Sequence, residues 1–282
     1  MAGTLYLVAT PIGNLEDITF RAVRVLKEAD LIACEDTRRT RVLLDHYGIR
    51  SPAVSYYEHN EARRAEELLG KLMDGNNVAL VSDAGTPLVS DPGYRLVAKA
   101  VENGIRVEPV PGPSAMLAAL AASGMPTDAF HFAGFLPARS SQRRKALEQL
   151  KNEQTTLVLY EAPHRILAAL EDIEAILGER IVVLAREMTK LHEEFLRGTP
   201  ADLRRTLQGR ATVKGEITLV VGRPGPAATQ DKPLSQAVEE LVAGGMPRMD
   251  AIKSVARERG IPKREVYKGL RTGTRTFDPT KA

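Results

Sequence analysis

Six short stretches of this chain carry the residue types that bind or transform ligands. Three are loops, TPIGN at 10–14, SDAGTPLVSDPG at 82–93 and PGPSA at 111–115, and each follows a predicted strand. Glycine lets a backbone come close to a ligand, and loop amides can hold a carboxylate. In open α/β sheets the carboxyl ends of the strands form the ligand crevice, so all three loops belong on one edge. Each loop taken singly is also ordinary turn chemistry; three in succession favour a ligand. The other three stretches are charged: EDTRRT at 35–40, YEAPHR at 160–165 and REMTKLHEE at 186–194. Their carboxylates suit a salt-bridged helix start equally well. Adjacent guanidiniums such as Arg38 and Arg39 suit phosphate.

Other chemistries are disfavoured. The chain has no G-x-G-x-x-G and no G-x-x-x-x-G-K-[ST], which argues against a dinucleotide or nucleoside triphosphate as main ligand. It has no G-x-S-x-G elbow. His164 and His192 are isolated and read as structural, so no metal site is expected. Cys34 is the single cysteine, so no intrachain disulfide can form, which suits a reducing compartment. The start, MAGTLYLVATPIGN, reads as a strand entering a turn rather than a signal peptide, and no run of eighteen apolar residues occurs. A cytoplasmic protein without a membrane span is expected.

The elements that must position these residues alternate. Strands are predicted at 5–9, 31–34, 54–57, 78–82 and 107–110, with helices at 16–29, 39–47, 60–74 and 94–103. This alternation means a parallel sheet with helices on both faces. A second part begins near Gly124, with strands at 130–135, 156–160, 181–186, 193–198 and 216–221 and helices at 142–151, 166–177 and 200–208. It reads as a mixed sheet with flanking helices. The expected domains are 1–120, 121–224, a Pro-, Gly- and Ala-rich linker at 225–232, and a helical tail at 233–271. The last residues, 272–282, are expected to fray.

Charge divides unevenly along the 282 residues. Residues 232–282 hold 11 Lys plus Arg against 6 Asp plus Glu, a net +5, whereas residues 1–231 hold 28 against 30, a net −2. Three helical patterns fill the tail, at 234–243, 249–259 and 263–271. Ala256, Gly260 and Val266 have helix-turn-helix separations, with Lys263 and Arg264 opening the second helix. Together with the charge this marks a nucleic-acid site, with Lys268 on the same helix. A dimerisation or packing module is the alternative.

The motifs YLVATPIGNLEDIT, EDTRRT, SDAGTPLVSDPG, VPGPSA, YEAPHRI and AREMTKLHEE, in this order, resemble the tetrapyrrole methylase superfamily and, within it, the bacterial ribosomal RNA small subunit methyltransferase I family. The resemblance covers residues 1 to about 271. It implies a two-domain α/β fold with S-adenosylmethionine in the cleft, a homodimer, and methylation of a cytidine ribose 2′-hydroxyl in small-subunit rRNA or the assembled subunit. The chain departs from the tetrapyrrole enzymes, which usually carry G-x-G-x-G-D where ATPIGN stands, and a G-D-P loop where Ser82, Asp83 and Ala84 stand. These differences argue against a porphyrin substrate.

On this resemblance the cofactor contacts are expected from Pro11 and Gly13, from Asp83, Ala84, Gly85 and Thr86, from Ser114 and Ala115, and from Tyr160, Ala162 and Ala185 on the opposite wall. A ribose hydroxyl is a poor nucleophile, so a positioned base or cation is required; the candidates are Asp36, Glu187 and Lys190. Lys190 acts by charge, or as a base if burial depresses its pKa. Arg38, Arg39 and Arg186 are expected to hold phosphates. Two rivals stand beside this reading: a small-molecule methylase, and a non-catalytic nucleic-acid-binding protein.

Overall fold

The computed structural model describes residues 1–224, 233–259 and 261–272, which form two compact units, Met1–Arg223 and Pro224–Ala282. The expected linker at 225–232, the turn glycine Gly260 and the end of the chain from 273 lie outside the described residues.

The first unit opens with a parallel sheet of β1 (Thr4–Val8), β2 (Leu31–Cys34), β3 (Ala53–Ser55), β4 (Val78–Val81) and β5 (Arg106–Val110), in the order β3-β2-β4-β1-β5. Strand residues alternate between two cores. Leu5, Ala33, Val78 and Leu80 pack with Leu68 and Leu72 of α3 (Glu61–Met73) and Leu96 of α4 (Tyr94–Glu102). Val8, Ile32, Cys34 and Val81 pack with Val25 and Leu26 of α1 (Phe20–Glu28) and Leu44 of α2 (Thr37–His46). Because both faces are covered, β2 and β4 are buried along their whole length.

The helix expected at 16–29 is two pieces. A 3-10 turn at Leu15–Asp17 ends at Ile18, and α1 starts afresh because the Thr19 hydroxyl accepts from the Ala22 amide. A helix with no expected counterpart, α5 (Ala115–Ser123), follows PGPSA, capped by the Ser114 hydroxyl. The boundary expected at 120/121 falls inside it.

The second sheet has β6 (Phe130–Phe135), β7 (Thr156–Glu161), β8 (Val182–Arg186), β9 (Glu194–Gly198) and β10 (Ile217–Val221), in the order β6-β7-β10-β8-β9. β6 and β7 run parallel, and the other pairs are antiparallel. One face packs on α6 (Ser140–Leu150), α7 (Ile166–Leu177) and α8 (Pro200–Gln208) through Leu147, Leu170, Ile173 and Leu203. The other face packs Val158, Val183 and Val220 against Leu120 of α5 and against Ile12 from the loop after β1. This fourth core joins the sheets into one unit.

The second unit holds α9 (Leu234–Ala243), α10 (Arg248–Glu258) and α11 (Lys263–Thr272) around Val238, Ile252, Val255, Ala256 and Val266. Ala256 and Val266, the two described positions of the turn signature, are therefore core residues. Among the described residues no helix is long and apolar enough to cross a membrane.

Candidate active site

β1 and β4 are neighbours, yet the chain leaves β1 outward to β2 and β3 before returning. Strand order reverses there, and such a switch point opens a crevice at the carboxyl ends of the strands. Three loops are knitted together at that point. The Thr10 amide donates to the Gly85 carbonyl at 2.9 Å, and the Gly85 amide donates back to the Thr10 carbonyl at 3.0 Å. The Thr10 hydroxyl donates to the Ser82 carbonyl at 3.1 Å, and the Thr86 hydroxyl to the Pro113 carbonyl at 3.3 Å. Gly85 sits at φ +86°, and an added Cβ would stand 3.4 Å from Ile12. It is required for backbone shape. Its amide is spent on Thr10, so Gly85 lines the crevice without offering that donor to a ligand.

The crevice has a volume of about 430 Å³, within the range of small-molecule sites. Asp83, Ala84, Gly85, Thr86, Ser114 and Ala115 line it from the first sheet, and Tyr160 and Ala162 from the second. Tyr160 is braced by Phe132 and Phe135, with ring centroids 5.0 and 5.4 Å away. Three expected contacts are not in the lining. Pro11 and Gly13 lie beside Ile12, which takes their place, and Ala185 is fully buried inside β8. The lining adds Glu35, Asp91, Phe135, Glu161, Met188 and Glu216, none of which was singled out from the sequence. Four of the six lie within or beside quoted motifs, but motif membership cannot say which side chains face inward.

The lining holds five carboxylate side chains, Glu35, Asp83, Asp91, Glu161 and Glu216, against one cationic side chain, Arg39. Glu161 is buried, with one oxygen taken by the Ala162 amide and by Arg165; its other oxygen, Oε2, has no partner. An unpaired buried acceptor beside an acidic cavity fits a ligand with N–H or O–H donors and positive charge. S-adenosylmethionine carries a sulfonium, an ammonium and hydroxyl and amino donors, so the residues present fit it.

The three expected catalytic groups border the crevice without lining it. Asp36 caps α2, accepting from the Arg38 amide at 2.9 Å, and ion-pairs with the Arg38 guanidinium at 2.7 Å. Those bonds hold its carboxyl at about 2, too acidic for an effective base. Lys190 Nζ donates to Glu187 at 2.8 Å and to Glu216 at 2.9 Å. Burial pulls its pKa down, but the hydrogen bonds to both carboxylates outweigh burial and the net direction is up. That direction favours the charged ammonium, which suits a role by charge better than a role as base. The Lys190 hydrogen bond likewise lowers Glu187. Glu187 and Thr189 adopt left-handed φ values of +51° and +66°, a strained turn held by these ion pairs at the crevice wall.

Beside the crevice lies a second hollow lined by Glu35, Asp36, Arg38, Arg39, Tyr57 and Asp83. Arg38 and Arg39 extend into solvent, 89% and 71% exposed, while Asp36 and Asp83 steady their guanidiniums. Arg186 differs. It is mostly buried, with Nε on Glu194 at 3.0 Å and Nη1 on the Lys214 carbonyl at 3.1 Å, so it braces β8 against β9 and is not free for phosphate. Among the described residues no group of three or more His, Cys, Asp or Glu could hold a metal ion.

A family model described as tetrapyrrole (corrin/porphyrin) methylases matches residues 4–204. The chain is 52% identical to the ribosomal RNA small subunit methyltransferase I of Halalkalibacterium halodurans, over 94% of this chain and 93% of that one. It is 48% identical to the protein of the same name from Escherichia coli O157:H7, over 94% of each. Among solved structures, uroporphyrin-III-C-methyltransferase from Thermus thermophilus covers 78% of this chain and 94% of its own at 24% identity, with a TM-score of 0.55. Diphthine synthase covers 78% and 90% at 16% identity, with a TM-score of 0.60.

Proposed function

The chain belongs to the tetrapyrrole methylase family and, within it, to the ribosomal RNA small subunit methyltransferases I, and from that premise we propose that it methylates the 2′-hydroxyl of a cytidine ribose in small-subunit rRNA, with S-adenosylmethionine as donor. The observation that carries the chemistry is the acidic crevice at the switch point. A cavity with five carboxylates attracts the cationic donor and disfavours the neutral thioether product, which helps release.

A methyl sulfonium is already activated, so the protein aligns acceptor oxygen, methyl carbon and sulfur and removes one proton. The loops at 83–86 and 114–115, with Tyr160 and Ala162, would hold the donor, and Glu161 Oε2 would take one of its hydrogen bonds. The adjoining hollow would take the phosphates that flank the acceptor ribose, on Arg38 and Arg39. In the second unit Lys263, Arg264 and Lys268 lie on the solvent side of α11, where they would dock more of the RNA. We read the protein as a cytoplasmic homodimer, in line with the resemblance. Phe20 and Leu191, 98% and 93% exposed, are apolar side chains that a second copy would cover.

The test supplies labelled S-adenosylmethionine with isolated small subunits, then maps ribose methylation. Label at one cytidine 2′-oxygen is expected. Label entering a tetrapyrrole and not the subunit would overturn the reading in favour of a small-molecule methylase.

A further inference from the structure

A ribose that enters the crevice brings its strand with it, and the bases on either side must be held at the rim. Charge alone does not hold them there. The hollow beside the crevice carries three carboxylates, Glu35, Asp36 and Asp83, against the two guanidiniums of Arg38 and Arg39. Asp36 takes two side-chain donors of Arg38, at 3.0 and 2.7 Å, and Asp83 pairs with Arg39 at 3.2 Å. Both guanidiniums stay well exposed and keep donors for phosphate, but the opposite charges beside them weaken the pull on a polyanion. A second kind of grip is called for, and one side chain of the hollow, Tyr57, is aromatic.

The fold presents that ring to solvent at a fixed place. β3 is the edge strand of the first sheet, and its in-and-out alternation continues past its end. Tyr56 turns inward and is buried, its amide donating to the Cys34 carbonyl at 2.7 Å and its hydroxyl to Glu61 at 3.2 Å. Tyr57 turns outward and is 40% exposed. The bond to Cys34 ties this stretch to the end of β2, directly before EDTRRT, so Tyr57 shares a hollow with Arg38 and Arg39. A local turn sets its backbone. The Tyr57 amide donates to the Asn60 side chain at 2.9 Å, and the Asn60 amide donates back to the Tyr57 carbonyl at 2.9 Å. The Asn60 side chain in turn donates to the Ser55 carbonyl at 3.3 Å. His59 stands at 85° to the Tyr57 ring with centroids 6.2 Å apart, and no other ring packs on it among the described residues.

We propose that Tyr57 is a stacking platform for the base of an unpaired nucleotide adjoining the acceptor, held while its phosphate meets Arg38 and Arg39. The proposal deepens the RNA 2′-O-methylation proposed above and rests on it. Proteins that read unpaired RNA splay bases out of the strand and stack them on aromatic side chains. Every base has a π-face, so a ring grips a strand whatever the net charge around it. A ring already set by its turn loses little freedom when a base settles on it. The crevice and the hollow share Glu35, Arg39 and Asp83, so they adjoin, and the stacked base belongs to a neighbour of the acceptor rather than to a distant nucleotide. Tyr57 does not line the crevice and takes no part in moving the methyl group or the proton. Its effect therefore falls on RNA binding, and because stacking neutralises no phosphate it leaves the salt dependence alone.

Methylation of small subunits by the unsubstituted chain, Tyr57→Ala, Tyr57→Phe, Tyr57→Trp and Arg38→Ala tests this, beside rRNA-fragment binding across a salt series and calorimetric binding of S-adenosylhomocysteine. Tyr57→Ala should raise KM for RNA about tenfold at nearly unchanged kcat, because one base stack is lost. Tyr57→Phe and Tyr57→Trp should hold KM within about threefold, since their rings stack without the hydroxyl. The log–log salt slope should be the same in all three, whereas Arg38→Ala should flatten it by about 0.7. S-adenosylhomocysteine affinity should not change, because neither Tyr57 nor Arg38 lines the crevice. Tyr57→Ala at the normal KM would overturn the proposal. So would Tyr57→Phe as weak as Tyr57→Ala, which would make the hydroxyl the contact, or a flattened salt slope in Tyr57→Ala, which would trace the loss to displaced arginines. The unsubstituted arm separates the two readings: if it leaves subunits unmethylated, the proposed function falls and the platform with it; if it methylates them and Tyr57→Ala does so at the same KM, the platform alone falls.

Discussion

Asp36 and Asp91 are the same residue type in loops at the same edge of one sheet, yet their surroundings drive them apart. Arg38 donates from side chain and backbone and holds the first down to about 2; burial and like charges push the second up to about 6. The second shift has a cost in stability with a definite sign. A carboxyl raised in the folded state favours folding most below its unfolded value, and stability falls as pH rises toward 6. Asp91→Asn, with no charge to desolvate, is therefore expected to raise the melting temperature at pH 8 and leave it nearly unchanged at pH 4. Thermal unfolding at the two pH values checks this; a lower melting temperature at pH 8 would mean that Asp91 is a structural anchor. Close approach gives a second expectation. A Cβ on Gly215, at φ +94°, would stand 2.4 Å from Glu187 Cγ. Gly215→Ala should therefore push Glu187 off Lys190 and reduce methyl transfer, with labelled methyl incorporation as readout; undiminished transfer would show that this ion pair does not shape the crevice wall. The motifs named the loops correctly, because Gly, Pro and Asp clusters after apolar runs are local signals. They could not rank the carboxylates within them, because burial and cation pairing come from residues dozens of positions away, as with Asp83 and Arg39.

At the scale of elements, α6 and α7 are clamped by a charged pair inside the second lobe. Arg143 and Asp172, 3% and 5% exposed, meet at 2.7 Å, and Ser140, the Ala138 carbonyl and Arg144, the last 3.4 Å from Asp172, complete the bonding. Removing one member strands the other in an apolar core. Asp172→Ala should cost about 3–5 kcal/mol, read as a lower urea midpoint at unchanged slope. Replacing both with apolar residues of similar volume should recover most of that loss. If Asp172→Ala unfolds at the normal urea concentration, the pair adds nothing. The sequence patterns found most strands and helices within a few residues, because α3, α4 and α8 each expose one polar side to water and bury the other. They missed α5, AMLAALAAS, which is apolar throughout and so shows no helical period. Packing explains that composition: α5 lies against β7 and β10 and helps form the core joining the two sheets. The tail fared better because each of its helices is short, amphipathic and set off by Gly or Pro.

For the whole molecule, the proposed function divides charge and chemistry between the two units. The charged residues that line the crevice are chiefly acidic and repel phosphate, so on the proposed function the RNA would be held by groups outside it. Arg38 and Arg39, which line the hollow beside the crevice, would supply such groups. The net +5 of residues 232–282 supplies more. In that unit Lys253, Arg257 and Lys263 converge on one hollow between α10 and the start of α11, and Arg264 extends from α11 at 84% exposure. Such surface charges contribute to RNA affinity mainly by releasing condensed counterions, so their effect is read from salt dependence. Lys263→Glu with Arg264→Glu in the intact chain should leave S-adenosylhomocysteine affinity unchanged, because neither residue lines the crevice. RNA affinity should fall, and the log–log salt slope should flatten by about 0.7–0.9 for each phosphate no longer neutralised. Deleting 224–282 should weaken RNA binding further in the same way. Filter binding of an rRNA fragment across a salt series measures both, with sedimentation run in parallel to follow subunit association. If the charge reversals leave the salt slope untouched while the deletion abolishes self-association, the helical unit is an assembly module, and substrate grip belongs to the arginines beside the crevice.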